Sequence, residues 1–328
     1  MEQSQSYMIQ AEGLSKRFGE RLAVDDVSFA IEKGEIMGFL GPNAAGKTTT
    51  MKMLTCFYPP TEGTAKVNGC DILEDSFGVR RSIGYMPENV PLYMDMTVEE
   101  FLNFVARAKA MAHLDIPRAI NKTLERCSLE GVRDQLIRTI SRGYKQRVGL
   151  AQAIINEPPV LILDEPTVGL DPEQIKNFRE LIKSLGGKST IILSTHILSE
   201  VSLTCNRVCI IDHGQIIAVD DTDNLEHQTN VRLEIFAPNP ERFIEAAAQL
   251  KEVGPVECEG QSQLPESEHP LLKFVVRDIR DRVGAHRALF SLAAAQGWEI
   301  YSLHDERVTL EDAFIRLINK HQEMGGKK

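Results

Sequence analysis

The stretch Gly41-Pro42-Asn43-Ala44-Ala45-Gly46-Lys47-Thr48 decides the fold, because it has the spacing G-x-x-x-x-G-K-[ST] between two regular elements. It follows an apolar, strand-like run at 36–40 and precedes a helix-like run at 48–54. In this context backbone N–H groups and the helix N-terminus form an anion site. Glycine has no Cβ and therefore lets a phosphate approach the backbone closely. We predict a phosphate-binding loop from Gly41 to Thr49, in which Lys47 reaches the outer phosphates and Thr48 holds Mg²⁺. The alternative is a glycine turn with a surface lysine.

Composition limits the classes of protein to which this chain can belong. Its 328 residues are 42% hydrophobic and 26% charged, which is typical of a soluble globular protein large enough for two domains. The net charge of −10 disfavours a protein that coats nucleic acid, so we expect no nucleic-acid partner. There is no apolar run of about eighteen residues, no signal-peptide pattern and no C-x-x-C pair. We therefore expect a cytoplasmic chain with reduced thiols.

Two kinds of pattern divide the chain, and we predict domains at 1–228 and 229–328. In the first domain short apolar runs indicate buried parallel strands, an alternating stretch indicates an antiparallel flank, and about 88–157 is a helical insertion. The apolar runs are 36–40, 160–163, 190–193 and 208–211, and the flank is 8–31. The fold class is therefore α/β. The later runs follow the order β-α-β-β-α-β, which predicts a small α+β ferredoxin-like domain with a polar loop or hairpin connection at 260–269.

The apolar run Val160-Leu161-Ile162-Leu163 ends in two carboxylates, Asp164 and Glu165. A buried parallel strand would bring both acids to its carboxyl end, which is the edge where open α/β sheets bind ligands. Asp164 is suited to hold Mg²⁺, directly or through its water, and Glu165 to polarise the water that attacks a γ-phosphate. The alternative is an Asp-Glu pair that ends a strand in solvent.

Residues Ile140-Ser141-Arg142-Gly143-Tyr144 precede a helix-like run and resemble Leu-Ser-Gly-Gly-Gln, the signature motif of the ATP-binding subunits of ABC transporters. The resemblance implies a P-loop NTPase core that binds ATP. It also implies that Ser141 and Gly143 contact the γ-phosphate held by a partner subunit, from a helix N-terminus that favours anions. The chain departs from the motif at Ile140, Arg142 and Tyr144. Its form Ser-x-Gly-Tyr-x-Gln-Arg is similar to export ATPases of the gliding-motility, or ABC-2, type. The alternative is an N-capped helix with a basic first turn.

Two further positions match motifs of the same family. His196 follows the apolar run at 190–193 and matches the switch histidine, which the resemblance implies senses the γ-phosphate and orients the attacking water. Asp171, in Gly169-Leu170-Asp171-Pro172, matches the loop that couples the two sites of a dimer. Taken alone, a histidine after a strand is more often structural, and an Asp-Pro pair is a turn.

Three positions depart from the family or leave two interpretations open. Where the family usually has a glutamine this chain has Glu88, which we expect to contact Mg²⁺ or its water as an anionic ligand; the alternative is a turn residue. Phe18 is the candidate for the aromatic residue that stacks on adenine, and the alternative is a core phenylalanine on a strand. Ala44 replaces a frequent glycine and should be tolerated if its φ is negative.

The resemblance covers residues 7–228 and extends to the tail through Thr309-Leu310-Glu311-Asp312-Ala313-Phe314. It implies an ATPase that drives a separate transmembrane permease, in the direction of export, from the inner face of the cell membrane. Two copies, or two paired ATPase subunits, would face each other head to tail, and the segment 88–107 would contact the permease. One alternative is a soluble ABC-class ATPase that acts on a ribosome or DNA complex. The other is a nucleotide-dependent regulatory module without turnover.

Overall fold

The computed structural model describes residues 7–222, 229–263, 269–279 and 281–307, together with the pairs 311–312, 314–315 and 317–318. Of these, 7–222 and 317–318 belong to one compact unit, and 229–315 to a second. The predicted domain boundary adjoins residues 223–228, which lie outside the described residues, so its position stays a prediction. Half of the tail resemblance at 309–314 lies outside them as well.

The strands are, in chain order, β1 (Tyr7–Phe18), β2 (Arg21–Glu32), β3 (Ile36–Leu40), β4 (Glu62–Val67), β5 (Cys70–Asp71), β6 (Ile83–Met86), β7 (Val160–Asp164), β8 (Thr190–Thr195), β9 (Arg207–Asp212), β10 (Gln215–Asp221), β11 (Thr229–Phe236), β12 (Val256–Ser262), β13 (Leu271–Ile279) and β14 (Glu299–Arg307). The α-helices are α1 (Lys47–Leu54), α2 (Ser76–Ser82), α3 (Val98–Ala108), α4 (Ile116–Arg126), α5 (Arg142–Ile154), α6 (Pro172–Leu185), α7 (Leu198–Thr204), α8 (Pro240–Ala247) and α9 (Arg282–Gln296).

The first unit is built on a six-stranded sheet in the order β10-β9-β3-β8-β7-β6. β3 is parallel to β8 and β9, β7 is parallel to β6 and β8, and β10 is antiparallel to β9. Every residue of β3, β7 and β8 is buried, which is the environment that their continuous apolar sequences predict. Because parallel strands end at one edge of a sheet, the segments that follow β3, β7 and β8 meet there.

One parallel strand, β6, was not predicted from the sequence. Its run of only four residues is interrupted by Gly84, so it gives a weak strand signal. The glycine is needed for packing, because a Cβ on Gly84 would overlap the carbonyl oxygen of Ala153 in α5. The close approach of α5 to this strand therefore decides its sequence.

The predicted antiparallel flank is confirmed as a second sheet in the order β2-β1-β4-β5. β1 pairs antiparallel with both β2 and β4 over most of its length. Its apolar residues are not a separate core: Leu14 and Val27 belong to the same buried cluster as Phe39 of β3 and Ile162 of β7. The flank thus covers the parallel sheet and places the end of β1 close to the phosphate loop.

The segment between β6 and β7 is helical, as predicted, and consists mainly of α3, α4 and α5. Thr97 begins α3 with a reciprocal capping box, in which its hydroxyl accepts from the Glu100 N–H while the Glu100 carboxylate accepts from the Thr97 N–H. On one face α3 buries the apolar side chains of Val98, Phe101 and Leu102. These helices form the insertion between two neighbouring parallel strands.

The second unit has the predicted β-α-β-β-α-β order, as β11, α8, β12, β13, α9 and β14. Its antiparallel sheet has the order β12-β13-β11-β14, and Phe243 of α8 stacks on Phe274 of β13 with ring centroids 4.3 Å apart. The predicted loop or hairpin connection at 260–269 joins the antiparallel pair β12 and β13, but it begins later than predicted, because β12 continues to Ser262 and pairs with Leu271 of β13. Backbone pairing along an exposed edge holds these polar residues in a strand without an apolar pattern.

Candidate functional site

The phosphate loop connects β3 to α1 at the carboxyl edge of the parallel sheet. α1 follows Gly46, whose φ of 111° lies in the left-handed region. A Cβ on Gly46 would lie 2.8 Å from the Ala23 carbonyl oxygen, and one on Gly41 would overlap the Ile211 carbonyl oxygen. Both positions therefore need glycine. No described side chain caps α1, which leaves its first N–H groups for an anion.

The negative φ that would make Ala44 easily tolerated is not found. Its φ is 64°, so an alanine occupies the left-handed region, where glycine is favoured. For an L-residue with a Cβ this conformation costs about 1–2 kcal/mol. Ala44 is exposed and lies in the middle of the loop, so the strain is stored in the backbone beside the cavity described next.

A cavity of about 550 Å³ opens beside the phosphate loop. It brings together most of the predicted site residues, and three others that the sequence analysis did not single out. The predicted residues that line it are Phe18, Asn43, Ala44, Ala45, Gly46, Lys47, Thr48, Thr49, Glu88, Glu165 and His196, and the others are Arg21, Ala23 and Val168. Six predicted residues lie outside this lining in the described structure, namely Gly41, Pro42, Ser141, Gly143, Asp164 and Asp171.

Lys47 links the phosphate loop to the end of β7. Its Nζ donates to the carbonyl oxygens of Gly41 at 2.8 Å and Pro42 at 3.2 Å, and lies 3.1 Å from Glu165 Oε1. Gly41 and Pro42 thus contribute to the site through their carbonyl groups. The Lys47 and Glu165 side chains are both buried, so the ammonium group is held at the cavity wall, where it can make a charge-assisted contact with a phosphate.

Asp164 lies next to the cavity, with its two carboxylate oxygens in different environments. Its Oδ1 accepts hydrogen bonds from Ser194 Oγ at 2.5 Å and from Thr48 Oγ1 at 3.1 Å. Its Oδ2 is buried and has no hydrogen-bond partner within the described part of the chain. Burial is the main reason why the pKa of Asp164 is raised; the negative charges of Glu165 and Glu88 add to it, against the two hydrogen bonds.

These residues fit a bound Mg²⁺ ion. Mg²⁺ prefers oxygen ligands and is held in proteins by one or two carboxylates together with substrate phosphates. The orphaned Asp164 Oδ2 and the nearby Thr48 hydroxyl supply such oxygens, and Glu88 lines the same cavity. Across the residues that the structure describes, no group of three His, Cys, Asp or Glu side chains could hold a metal ion by itself. The donor set therefore matches a cation that is shared with a phosphate ligand.

Glu165 is fixed by contacts at both its side chain and its backbone. Its Oε2 lies 2.8 Å from His196 Nδ1, and its Oε1 faces Lys47. Its N–H donates to the Oγ of Ser194 at 2.9 Å and to the carbonyl oxygen of Ser194 at 3.1 Å. Its φ of 46° is unusual for a residue with a Cβ, and strain of this kind is concentrated at functional sites.

Two interpretations that the sequence left open can be compared with the structure. Phe18 is the last residue of β1, is 43% exposed and lines the cavity, so it is not a core phenylalanine. Glu88 is exposed and also lines the cavity, and its charge acts on Asp164. Both positions are therefore available to a ligand. Their roles toward adenine and Mg²⁺ stay predictions.

The signature residues Ser141 and Gly143 and the coupling-loop residue Asp171 lie at two neighbouring helix N-termini, apart from the cavity lining. Ser141 begins α5 and accepts from the Tyr144 N–H at 3.4 Å, and Asp171 begins α6 and accepts from the Gln174 N–H at 2.9 Å. A Cβ on Gly143 would overlap the Gln174 amide, so the two helix ends are in close contact. The single chain does not bring them to its own phosphate loop, and their predicted action on a partner's nucleotide stays a prediction.

Besides the lining residues Arg21, Ala23 and Val168, two residues that support the site from outside the lining were missed from the sequence, Ser194 and Glu200. Ser194 lies opposite Asp164 in the register of β7 and β8, and it holds both Asp164 and Glu165. The buried Glu200 accepts from the Thr195 hydroxyl at 2.8 Å, and the Ile197 N–H donates to Thr195 Oγ1 at 3.0 Å, which orders the turn that carries His196. The available signal was a pair of hydroxyl residues at a strand end.

Known proteins share this sequence and fold. The family described as ABC transporter matches residues 24–168. The chain is 33% identical to the uncharacterized ABC transporter ATP-binding protein YcbN of Bacillus subtilis, over 96% of this chain and 98% of that protein. It is also 33% identical to Nod factor export ATP-binding protein I of Ralstonia nicotianae, over 95% of this chain and 94% of that protein.

A solved structure, the ATP binding subunit of an ABC transporter, has a TM-score of 0.61 and 31% identity over 67% of this chain and 92% of that chain. None of the helices in the described residues has the length and apolar character needed to traverse a bilayer. The relatives match nearly the whole chain, and the solved subunit matches its fold. The predicted family is therefore confirmed, and this chain belongs to the ATP-binding subunits of ABC transporters.

Proposed function

We propose that this chain binds ATP with Mg²⁺ in the cavity beside the phosphate loop, and that Glu165 is the general base for its hydrolysis. The observation that carries the proposal is the contact of the buried Glu165 carboxylate with both Lys47 and His196. One end of this group adjoins the α1 N-terminus, where phosphates bind, and the other adjoins open cavity, where a water molecule can stand. A carboxylate in such a place can take a proton from the attacking water.

The other residues of the site bind the nucleotide and orient the groups that react. The first N–H groups of α1 and the Lys47 ammonium hold the β- and γ-phosphates. Asp164 and Thr48 are the ligands that the chain offers to Mg²⁺, with Glu88 on its outer side, and the bound ion would neutralise phosphate charge. Phe18 stacks on the adenine ring. His196 keeps the Glu165 carboxylate turned toward the γ-phosphate position, because their side chains are hydrogen-bonded.

Two nucleotide sites would form between two such chains, either two copies or a pair of related ATPase subunits. Ser141, Gly143 and Asp171 lie at helix N-termini, which favour anions, and they have no part in this chain's own cavity as far as the described residues define it. We assign Ser141 and Gly143 to the γ-phosphate held by the facing chain, and Asp171 to the loop that couples the two sites of the dimer. ATP binding then closes the dimer, and hydrolysis opens it.

The permease contact and the direction of transport belong to the same proposal. The segment 88–107 carries exposed Tyr93, Met94 and Phe104, with the Tyr93 and Phe104 ring centroids 5.1 Å apart. Exposed aromatic residues of this kind mark protein contacts. We therefore place a separate transmembrane permease on this surface, so that the chain is peripheral at the cytoplasmic face of the membrane. The similarity to a Nod factor export protein favours export.

The test uses two variants of the full chain, each with a matched control. Glu165→Gln should retain ATP binding and lower turnover by about 10²–10⁴, the usual range for a general base. Lys47→Ala should abolish the rise in melting temperature that ATP causes in the wild-type chain. Glu180→Gln and Lys176→Ala change the same residue types at exposed positions of α6 and should leave both measurements unchanged.

The result also decides between ATPase and regulatory module. Steady-state release of phosphate by the wild-type chain, lost in Glu165→Gln, fits only an ATPase. Wild-type turnover in Glu165→Gln would contradict the assignment of the base. An unchanged ATP-induced shift in Lys47→Ala would show that the phosphate loop is not the binding site. Copurification with ribosomes or DNA instead of a membrane fraction would favour the remaining alternative.

A further inference from the structure

We propose that Tyr58 is a positioning residue for the nucleotide base, which it controls by holding the ring of Phe18. This inference deepens the proposed function and rests on it, since it assumes that a nucleotide occupies the cavity. Tyr58 does not line the cavity, as far as the described residues define it, and so would act only through its neighbour.

The rings of Phe18 and Tyr58 are in contact. Phe18 and Tyr58 have centroids 5.4 Å apart with an interplanar angle of 76°, which is the favoured edge-to-face geometry. Tyr58 in turn meets Phe57 at 5.1 Å and 74°. Phe18 is 43% exposed at the end of β1, so the neighbouring ring is a main restraint on its orientation. Without that restraint the Phe18 ring could rotate among rotamers in solvent.

One face of the Phe18 ring remains open to a ligand. Lys16 Nζ lies 5.3 Å from the Phe18 centroid, within the range of a cation–π contact, and donates to the Pro59 carbonyl oxygen at 2.6 Å. The ammonium group is thus tied down over one face of the ring, and it also lies 5.8 Å from the Tyr58 ring centroid. Phe18 remains 43% exposed and lines the cavity, so a planar ligand in the cavity can stack on its exposed face. A purine base is the ligand chemistry that fits such a face beside a phosphate loop.

Helix α1 connects the rings of Phe57 and Tyr58 to the phosphate loop. The N–H groups of Phe57 and Tyr58 both donate to the Lys52 carbonyl oxygen, at 2.8 and 3.1 Å, near the C-terminal end of α1. The same helix presents Lys47 and Thr48 at its other end. One rigid helix therefore fixes the distance between the phosphate position and the ring that supports the base. Because the Tyr58 ring contacts Phe18, it sets the position of the Phe18 ring relative to the phosphate loop.

A base contact of this kind is made equally in the substrate complex and in the transition state. Its loss should therefore raise KM and leave kcat unchanged. In the full chain with Mg²⁺, Tyr58→Leu should raise the KM for ATP about threefold to tenfold, the range for one aromatic contact, with kcat within about twofold of wild type. The inhibition constant of inorganic tripolyphosphate, which has no base, should not change.

Two variants separate positioning from a merely structural role. Tyr58→Phe keeps the ring that meets Phe18 and should restore the wild-type KM. Phe57→Leu removes a 65% exposed ring that contacts Tyr58 but does not line the cavity as the described residues define it, and it should leave KM as it is. An equal rise in the tripolyphosphate constant of Tyr58→Leu, or an unchanged KM for ATP, would overturn the inference. A wild-type chain that ATP does not stabilise would overturn the proposed function and this inference together.

Discussion

At the scale of single residues, Asp164 shows how the proposed site opposes stability. Its carboxylate is buried, one oxygen has no partner within the described residues, and its pKa is raised mainly by burial. A carboxyl that binds its proton more tightly in the folded state makes the fold less stable as pH rises from the ordinary value of 3.8 through the raised one. Above that window, at neutral pH, the penalty is complete. A cation at Oδ2 would offset it.

Asp164→Asn should therefore stabilise the chain when neither metal nor nucleotide is present. We expect a rise in melting temperature of about 2–4 °C at pH 7 in EDTA, the shift that roughly 1 kcal/mol gives in a domain of this size. The Mg²⁺-dependent part of the ATP-induced shift should disappear in the same variant. Asp134→Asn, at an exposed position, is the control. A melting temperature below that of wild type in EDTA would contradict the argument.

At the scale of elements, α5 is attached to the segment that follows β7. Arg142, the first residue of α5, donates from Nη2 to the Val168 carbonyl oxygen at 3.0 Å, and Val168 lines the cavity. The guanidinium lies over Gly169, whose φ is 75° and where a Cβ would overlap it. The departure from the family motif at Arg142 thus ties the signature helix to the wall of the chain's own nucleotide site.

A double-mutant cycle tests this attachment. Gly169→Ala should cost about 2–3 kcal/mol of unfolding free energy, about 1–2 from left-handed strain and about 1 from the Arg142–Val168 hydrogen bond, which the displaced guanidinium loses. In an Arg142→Ala background only the strain remains, so the cost should fall to about 1–2 kcal/mol.

Gly187→Ala is the matched control, because Gly187 also has a φ of 75° but no described atom lies within 4 Å of its Cβ position. Its cost should be the same with and without Arg142. Denaturant unfolding measures all six chains. Equal costs for Gly169→Ala in the two backgrounds would show that Arg142 does not occupy this space.

At the scale of the whole molecule, each compact unit has a buried apolar cluster of its own. That of the second unit includes Phe243, Leu289 and Trp298, contributed by α8, α9 and the residue before β14. All residues of the proposed nucleotide site lie within 7–222. The second unit has no glycine-rich loop in its sequence, so we assign it an accessory role in dimer contact, regulation or permease docking.

Truncation after Gln228 also removes residues 317–318 of the first unit. The fragment should still fold and bind ATP about as tightly as the full chain, because domain boundaries fall where few contacts cross and the whole cavity lining lies within 7–222. Limited proteolysis would identify the natural cleavage region, and the ATP-induced rise in melting temperature of the fragment would measure binding. Turnover should drop if the second unit supports the dimer. An insoluble fragment, or one whose melting temperature ATP leaves unchanged, would contradict two independent domains.

The sequence by itself determined the features that depend on local spacing. The phosphate loop could be predicted because glycine positions, a preceding apolar run and a following helix act within about fifteen residues. Strands β3, β7 and β8 could be predicted because strands buried on both faces are apolar throughout. Strand β6 could not be predicted, because packing against α5 holds it in place. The polar end of β12 could not be predicted either, because pairing with β13 holds it. Their own residues carry little strand signal.

Only the tertiary structure decided which distant residues meet. The order β3-β8-β7 places Lys47, His196 and Glu165 at one sheet edge, although more than a hundred residues separate the first from the others. It also pairs Ser194 with Asp164, and the flank brings Phe18 to Tyr58. The left-handed φ of Ala44 belongs to the same class, because a single sequence gives no backbone angle. Strand order and packing are properties of the whole chain, and local sequence patterns do not encode them.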